Sequence, residues 1–265
     1  MKIAIVGAAG RMGQMLIRQI AQTDGCTLTG ASEAADSKAI GRDAAEVAGL
    51  EAAGVKITAD SAAAIAAADV VIDFTVPAAT VAHARSAADK GVSMVIGTTG
   101  LDPEQTAAIH ECARRVPILW AANMSMGINI LMALVEKTAS LLDPGYDIEV
   151  LEMHHRHKID APSGTALALG RSAAAGRKVE LEKVWCKSRD GHTGARPTGE
   201  IGFATLRGGE EVGVHTVMFA ASGERLELSH RSFSRETYAS GALRAALWLQ
   251  GRKPGLYGMK DVLGI

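Results

Sequence analysis

The chain has 265 residues, and 28 Lys+Arg against 29 Asp+Glu leave a formal net charge of −1. That balance argues against a bulk nucleic-acid binder, which carries a basic excess, and 48% apolar with 22% charged residues is globular, not disordered. No apolar run approaches the roughly 18 residues of a membrane span, and three scattered cysteines, Cys26, Cys112 and Cys186, read as a reduced cytoplasmic chain without disulfides or a zinc knuckle.

Lys2 to Val6 is a short run rich in β-branched residues, ended by Gly7. It is too short for a signal peptide, and Arg11 follows it, so it reads as a buried strand. Arg11 to Thr23 has helical spacing through Met12, Leu16 and Ile20, and Thr27 to Ser32 reads as a second strand. Ser61–Ala68 is read as an Ala-rich helix. Val70 to Thr75, Val92 to Ile96 and Pro117 to Ala121 are further strands, with Asp102-Pro103-Glu104 starting a helix between the last two. Strands alternating with helices in this way predict a doubly wound parallel sheet of the Rossmann type.

The pattern changes near residue 126. A helix over Ile128–Leu142, a strand over Asp147–Glu152 and a helix over Gly164–Ala175 are expected. Then Ile201–Arg207, Val214–Ala220 and Arg225–His230 read as a meander turned by Gly208-Gly209 and Ser222-Gly223. The second domain is therefore read as α+β on a mixed, largely antiparallel sheet. A helix over Glu236–Leu249, with Ser234 as cap, follows. The expected division is 1–126 for dinucleotide binding, completed by 235–265, and 127–234 for substrate binding and oligomerisation.

Gly7-Ala8-Ala9-Gly10-Arg11-Met12-Gly13 joins the first strand to the first helix. Its GxxGxxG spacing is a variant of the dinucleotide fingerprint. Gly7 permits the turn, Gly10 lets backbone approach a pyrophosphate, and Gly13 lets the helix pack closely. The helix N-terminus offers N–H groups to the phosphates. Glu33 lies 20 residues past Gly13, at the end of the second strand, where an acid holds the adenosine ribose. A carboxylate there repels a 2′-phosphate and favours NADH over NADPH, unless Lys38 or Arg42, a few residues on, reaches back. Gly97-Thr98-Thr99 and Ala121-Ala122-Asn123-Met124 end later strands, where the nicotinamide side of the site is expected.

His154-His155-Arg156-His157-Lys158 puts five basic residues in a row. Arg156 and Lys158 repel a metal ion, and no Cys or carboxylate sits at ligand spacing, so no metal site is expected. Ser163 is a candidate cap for a helix whose first residues, Gly164 and Thr165, would offer N–H groups to a carboxylate beside this cationic loop. Histidine and lysine there can hold an anion and give a proton, which suggests hydride chemistry on an anionic substrate.

The run from His154 to Ala166 resembles the signature of the 4-hydroxy-tetrahydrodipicolinate reductase family, also called dihydrodipicolinate reductases. Gly7 to Gly13, Asp73-Phe74-Thr75, Val95 to Gly100, Ala121 to Asn123, Gly191 to Gly194, Ile201 to Ala204 and Asp261 to Leu263 extend the resemblance along essentially the whole chain. It implies NADH- or NADPH-dependent reduction of a cyclic imine dicarboxylate with loss of water, in lysine and diaminopimelate biosynthesis. It implies His154 and Lys158 as the proton-handling pair, and His155, Gly164 and Thr165 as substrate contacts. Cofactor contacts map onto Gly7, Ala8, Ala9, Gly10, Arg11, Met12, Glu33, Gly97, Thr98, Thr99, Ala121, Ala122, Asn123 and Met124. A homotetramer is implied, with no nucleic-acid or membrane partner. The chain departs at Ala34, where members that use both cofactors well often carry Arg. Spacing alone leaves open which of His154 and Lys158 delivers the proton. Two other readings stand beside this one: a dehydrogenase of another small anionic substrate, and a non-catalytic NADH-sensing module, which leaves the His/Lys cluster unexplained.

Overall fold

A computed structural model describes residues 1–265. The chain forms two units, Met1–Ser125 with Glu236–Gly264, and Met126–Arg235 with the terminal Ile265.

The first unit runs β1 (Lys2–Val6), α1 (Arg11–Ala21), β2 (Thr27–Ser32), α2 (Ala44–Val47), α3 (Ser61–Ala66), β3 (Val70–Asp73), α4 (Pro77–Lys90), β4 (Ser93–Ile96), α5 (Pro103–Ala113) and β5 (Pro117–Trp120). The second runs α6 (Met126–Leu141), β6 (Asp147–His154), α7 (Gly164–Arg177), α8 (Leu181–Val184), β7 (Trp185–Cys186), β8 (Ile201–Arg207), β9 (Gly213–Ala220) and β10 (Arg225–Ser232). The chain then returns to the first unit with α9 (Glu236–Leu249), β11 (Gly255–Tyr257) and α10 (Met259–Leu263).

The first sheet has six parallel strands in the order β11-β5-β4-β3-β1-β2. Its direction of growth reverses between β1 and β3, so a crevice opens at their carboxyl ends, where open α/β sheets bind ligands. All four residues of β3 are buried, as befits a strand covered on both faces. The run expected to reach Thr75 stops at Asp73, because Pro77 already occupies the first turn of α4. Asp102 and Gln105 close a capping box at the start of α5. Many of the small residues mark close approaches. A Cβ on Gly30 would stand 2.2 Å from the carbonyl oxygen of Ala64 in α3, and one on Gly241 in α9 would stand 1.8 Å from that of Met124.

The second sheet is mixed, in the order β10-β9-β6-β8-β7. β9 pairs antiparallel with β10 and with β6, while β8 pairs parallel with β6 and with β7. The expected three-strand meander is therefore interrupted: β6 lies between β8 and β9, and Gly208-Gly209 turns the chain across it rather than into a hairpin. Residues of α6 and α7 (Leu131, Val135, Leu169, Ala173) pack on Ile148 and Val150 of β6 and on Phe203 and Phe219. β6 alternates strictly between half-buried and buried positions, which puts Ile148, Val150, Glu152 and His154 on the covered face. The strand runs to His154, two residues beyond its expected end at Glu152. The first histidine of the basic cluster is thus a strand residue with a fixed direction, not part of a loop.

Candidate active site

In the first unit the glycine loop has the form that the spacing predicts. Gly7 has φ +71°, in the region that favours glycine. A Cβ on Gly13 would stand 2.2 Å from the Gly7 carbonyl oxygen, so only glycine lets α1 sit this close to the loop. The N–H of Ala8 donates to Ser32 O at 3.0 Å, and the N–H of Gly10 to Gly7 O at 3.1 Å. No side chain caps α1, so its first-turn N–H groups, on Arg11 and Met12, face a ligand position with the positive end of the helix dipole. Glu33 stands at this loop: its Oε2 accepts from Ala9 N at 3.0 Å and its Oε1 from Ala34 N at 3.1 Å. Lys38 and Arg42 are exposed. A dinucleotide fits here, with backbone for the pyrophosphate and a carboxylate for the ribose.

Thr98 is 4% exposed, and its polar groups serve the protein itself. Its hydroxyl lies 3.1 Å from Asp73 Oδ1 and 2.9 Å from Thr80 Oγ1, and its carbonyl accepts from Trp120 Nε1 at 3.1 Å. Asp73 is fully buried and also accepts from Thr75 N and Oγ1, while its Oδ2 meets His83 Nδ1 at 2.8 Å. This knot fixes the loops after β3 and β4, so the Thr98 side chain shapes the site from behind. Gly97 has the same use: a Cβ there would lie 2.1 Å from the Phe74 ring. Thr99 is exposed, and Ala121, Ala122 and Asn123 are at least partly so, whereas Met124 is a core residue, 1% exposed.

In the second unit one carboxylate organises the site, and it lies outside the basic cluster. Glu152 is 1% exposed. Its Oε2 is 2.5 Å from His154 Nδ1 and accepts from Arg207 Nη1 at 2.8 Å. Its Oε1 accepts from Arg207 Nη2 at 2.9 Å and from the backbone N–H of Ser163 at 3.0 Å. Burial by itself raises the pKa of Glu152, but the hydrogen bonds from His154, Arg207 and Ser163 outweigh it and hold the group at about 2.

Ser163 caps α7, its Oγ accepting from Ala166 N at 3.1 Å. The same Oγ lies 3.1 Å from His215 Nε2. The His215 ring sits edge-on to His154 with centroids 5.0 Å apart. Burial, with His154 close by, pushes His215 down to about 4, so it is neutral at neutral pH. His154 and the α7 N-terminus, with Gly164 and Thr165 in its first turn, are thus joined through Glu152 and His215.

His155, half-buried, is held below its ordinary value by burial and by the charge of Arg235, whose guanidinium is 3.5 Å from His155 Nε2. Lys158 pairs with Asp160 at 2.8 Å, and Arg207 Nη2 also donates to the carbonyl of Asp160 at 2.7 Å, tying the end of the basic loop to the sheet. Glu152, Arg207, His215 and Arg235 were not expected from sequence. One signal was present: a charged residue at an inward phase of the β6 alternation.

Comparison with known proteins matches residues 1–124 to the family described as dihydrodipicolinate reductase, N-terminus, and residues 127–263 to dihydrodipicolinate reductase, C-terminus. The 4-hydroxy-tetrahydrodipicolinate reductase of Methylocella silvestris is 54% identical over 265 residues, covering 100% of this chain and 97% of the relative. That of Rhodopseudomonas palustris (strain BisB5) is 53% identical, covering 100% and 98%. Among solved structures, a dipicolinate-bound dihydrodipicolinate reductase from Paenisporosarcina sp. TG-14 superposes with TM-score 0.74 at 26% identity, covering 98% of each chain. An amine dehydrogenase from Mycobacterium smegmatis shares the fold, with TM-score 0.65 at 14% identity over 96% and 94%.

Proposed function

The chain belongs to the dihydrodipicolinate reductase family, and from that premise we propose that it reduces 4-hydroxy-tetrahydrodipicolinate to tetrahydrodipicolinate with loss of water, using NADH or NADPH, in lysine and diaminopimelate biosynthesis. The observation that carries this reading is the carboxylate of Glu152, which binds both His154 and the N-terminal residue cap of α7. A proton-handling group and a carboxylate-binding helix end are thereby held in one arrangement, as a dicarboxylate that must be protonated requires.

Backbone of Gly7 to Met12 holds the cofactor pyrophosphate, and Glu33 holds the ribose, with NADH preferred because the carboxylate repels a 2′-phosphate. Gly97, Thr99, Ala121, Ala122 and Asn123 line the nicotinamide side, with Thr98 and Met124 supporting them. When bound, the nicotinamide supplies the hydride. His155, Gly164 and Thr165 bind substrate carboxylate, and α7 adds its dipole. Loss of the 4-hydroxyl and a neighbouring hydrogen as water leaves a conjugated C=C–C=N system, hydride addition to it drives electron density toward nitrogen, and His154 and Lys158 stabilise that charge. His154 gives the proton, and Lys158, paired with Asp160, acts as a charge. The dipicolinate bound to the relative at 26% identity supports a planar dicarboxylate as the ligand type. Family membership supports a homotetramer in the cytoplasm. No helix is long and apolar enough to cross a membrane.

The test is the loss of nicotinamide absorbance when the protein meets freshly made substrate, run with each cofactor. No turnover at saturating cofactor overturns the reading. His154→Ala and Lys158→Ala are each expected to lower kcat by about 10²–10⁴-fold with cofactor affinity kept. Lost cofactor binding would move the cluster to the nucleotide site.

A further inference from the structure

We propose that Glu152 is a positioning residue that fixes His154 with a permanent proton on Nδ1 and leaves Nε2 as the nitrogen that gives and takes the catalytic proton. This rests on the reading of His154 as the proton-handling group.

The argument starts from strand geometry. Glu152 and His154 are two apart on β6, so their side chains leave the same face. Their 2.5 Å contact runs from Nδ1 to Oε2. An ionised carboxylate only accepts, so Nδ1 carries the hydrogen in both charge states of the ring. Arg207 makes that ionisation permanent. Its guanidinium covers both carboxylate oxygens, at 2.8 and 2.9 Å, and leaves the carboxylate balanced when His154 is neutral. Without Arg207 a neutral His154 would leave a nearly bare charge in a site 1% exposed, and the carboxyl would compete for the proton.

Nε2 is the other half of the inference. It makes no hydrogen bond within the chain, and the side chain keeps 11% of its exposure. Beside it stands Gly213 of β9, where a Cβ would lie 3.1 Å from Nε2. The groups on His154 are Glu152 on β6, the edge-on ring of His215 on β9 and His155 next in the chain, with Arg207 on β8 behind Glu152. Among them only Glu152 is an anion. Its carboxylate is therefore the one group on the ring that fixes which nitrogen carries the hydrogen.

The direct test is ¹⁵N NMR of the histidine rings in the intact wild-type protein, with His154 assigned by its loss in His154→Gln. With the ring neutral, Nδ1 is expected protonated and Nε2 bare, although free neutral imidazole side chains favour the opposite tautomer. A neutral ring protonated on Nε2 overturns the proposal. In Glu152→Gln the tautomers are expected to mix, and kcat to fall by about 10²–10³-fold with substrate KM within about threefold. Glu152→Asp, which keeps the charge, is expected to recover part of kcat. An unchanged tautomer and kcat in Glu152→Gln overturn the proposal. Should that variant fail to fold with Arg207 unpartnered, Glu152→Gln with Arg207→Met removes both charges together and carries the same expectations. Full activity of His154→Gln would instead overturn the assignment of His154, and with it the catalytic use of Nε2, while the wild-type tautomer still reports whether Glu152 orients the ring.

Discussion

Arg207 binds both carboxylate oxygens of Glu152, through Nη1 at 2.8 Å and Nη2 at 2.9 Å, across the parallel pairing of β8 with β6. Removing one member of a buried ion pair leaves the other charge uncompensated, at a cost of about 3–5 kcal/mol. Arg207→Met is therefore expected to lower unfolding free energy by about that amount in urea titrations near neutral pH. Adding Glu152→Gln to it is expected to return a substantial part, as a coupling energy in a double-mutant cycle. Strictly additive losses would mean that the pair does not act as a unit.

Acid sensitivity follows from two groups that act in the same direction. His215 is held at about 4 against an ordinary 6.5, so the unfolded chain binds its proton first. Its contribution is complete above about pH 6.5 and is lost as pH falls toward about 4. Glu152, moved from 4.5 to about 2, contributes fully above about pH 4.5 and loses that contribution as pH falls toward about 2. His155 and His230 are also held below their ordinary value and add to the upper window. Unfolding free energy is expected to decline from about pH 6.5 downward, and His215→Gln to flatten the upper part of the decline. An equally steep upper slope in that variant would remove His215 as its source.

How far the sequence could be read depended on the range of each interaction. The glycine loop, the Asp102 cap and the Ser163 cap are local in sequence, and each is found where its spacing predicts. Arg207 meets Glu152 across 55 residues and His215 meets Ser163 across 52. Those pairs depend on β6 lying between β8 and β9, which no local pattern states. Glu152 precedes the five-residue basic run, and a carboxylate at the inward phase of Ile148, Val150 and His154 has to find a cation or a donor once buried. β11 offered three residues and no periodicity, so the sixth strand of the first sheet was also hidden.

Cofactor choice turns on Glu33 and the residue after it. The Glu33 carboxylate is held at the glycine loop by Ala9 N and Ala34 N, and Ala34 places no cation beside it. NADH is expected to bind more tightly than NADPH. Ala34→Arg supplies a guanidinium for a 2′-phosphate, and charge-assisted contacts of this kind are each worth about 1.5–3 kcal/mol. The variant is expected to narrow the ratio of the two dissociation constants by about tenfold or more, measured by calorimetry. Equal affinities in the wild type would count against Glu33 as the discriminating group.

Gly213 tests the freedom of the His154 ring from the side opposite Glu152. Its backbone is ordinary, so alanine there meets no φ penalty, but the new Cβ would stand 3.1 Å from Nε2 and 3.6 Å from His215 Cε1. Glu152 already holds Nδ1 at 2.5 Å, so the ring has little room to retreat. It must shift by a few tenths of an ångström, which lengthens that contact or crowds the nitrogen that would face substrate. Since a misplacement of about 1 Å costs about 10²-fold in rate, Gly213→Ala is expected to lower kcat by about 3–30-fold. Cofactor affinity should be unchanged, because the variant lies in the second unit. Steady-state kinetics with a parallel NADH titration reads both. Wild-type kcat in Gly213→Ala would show that the face of the ring beside β9 is not the one that works.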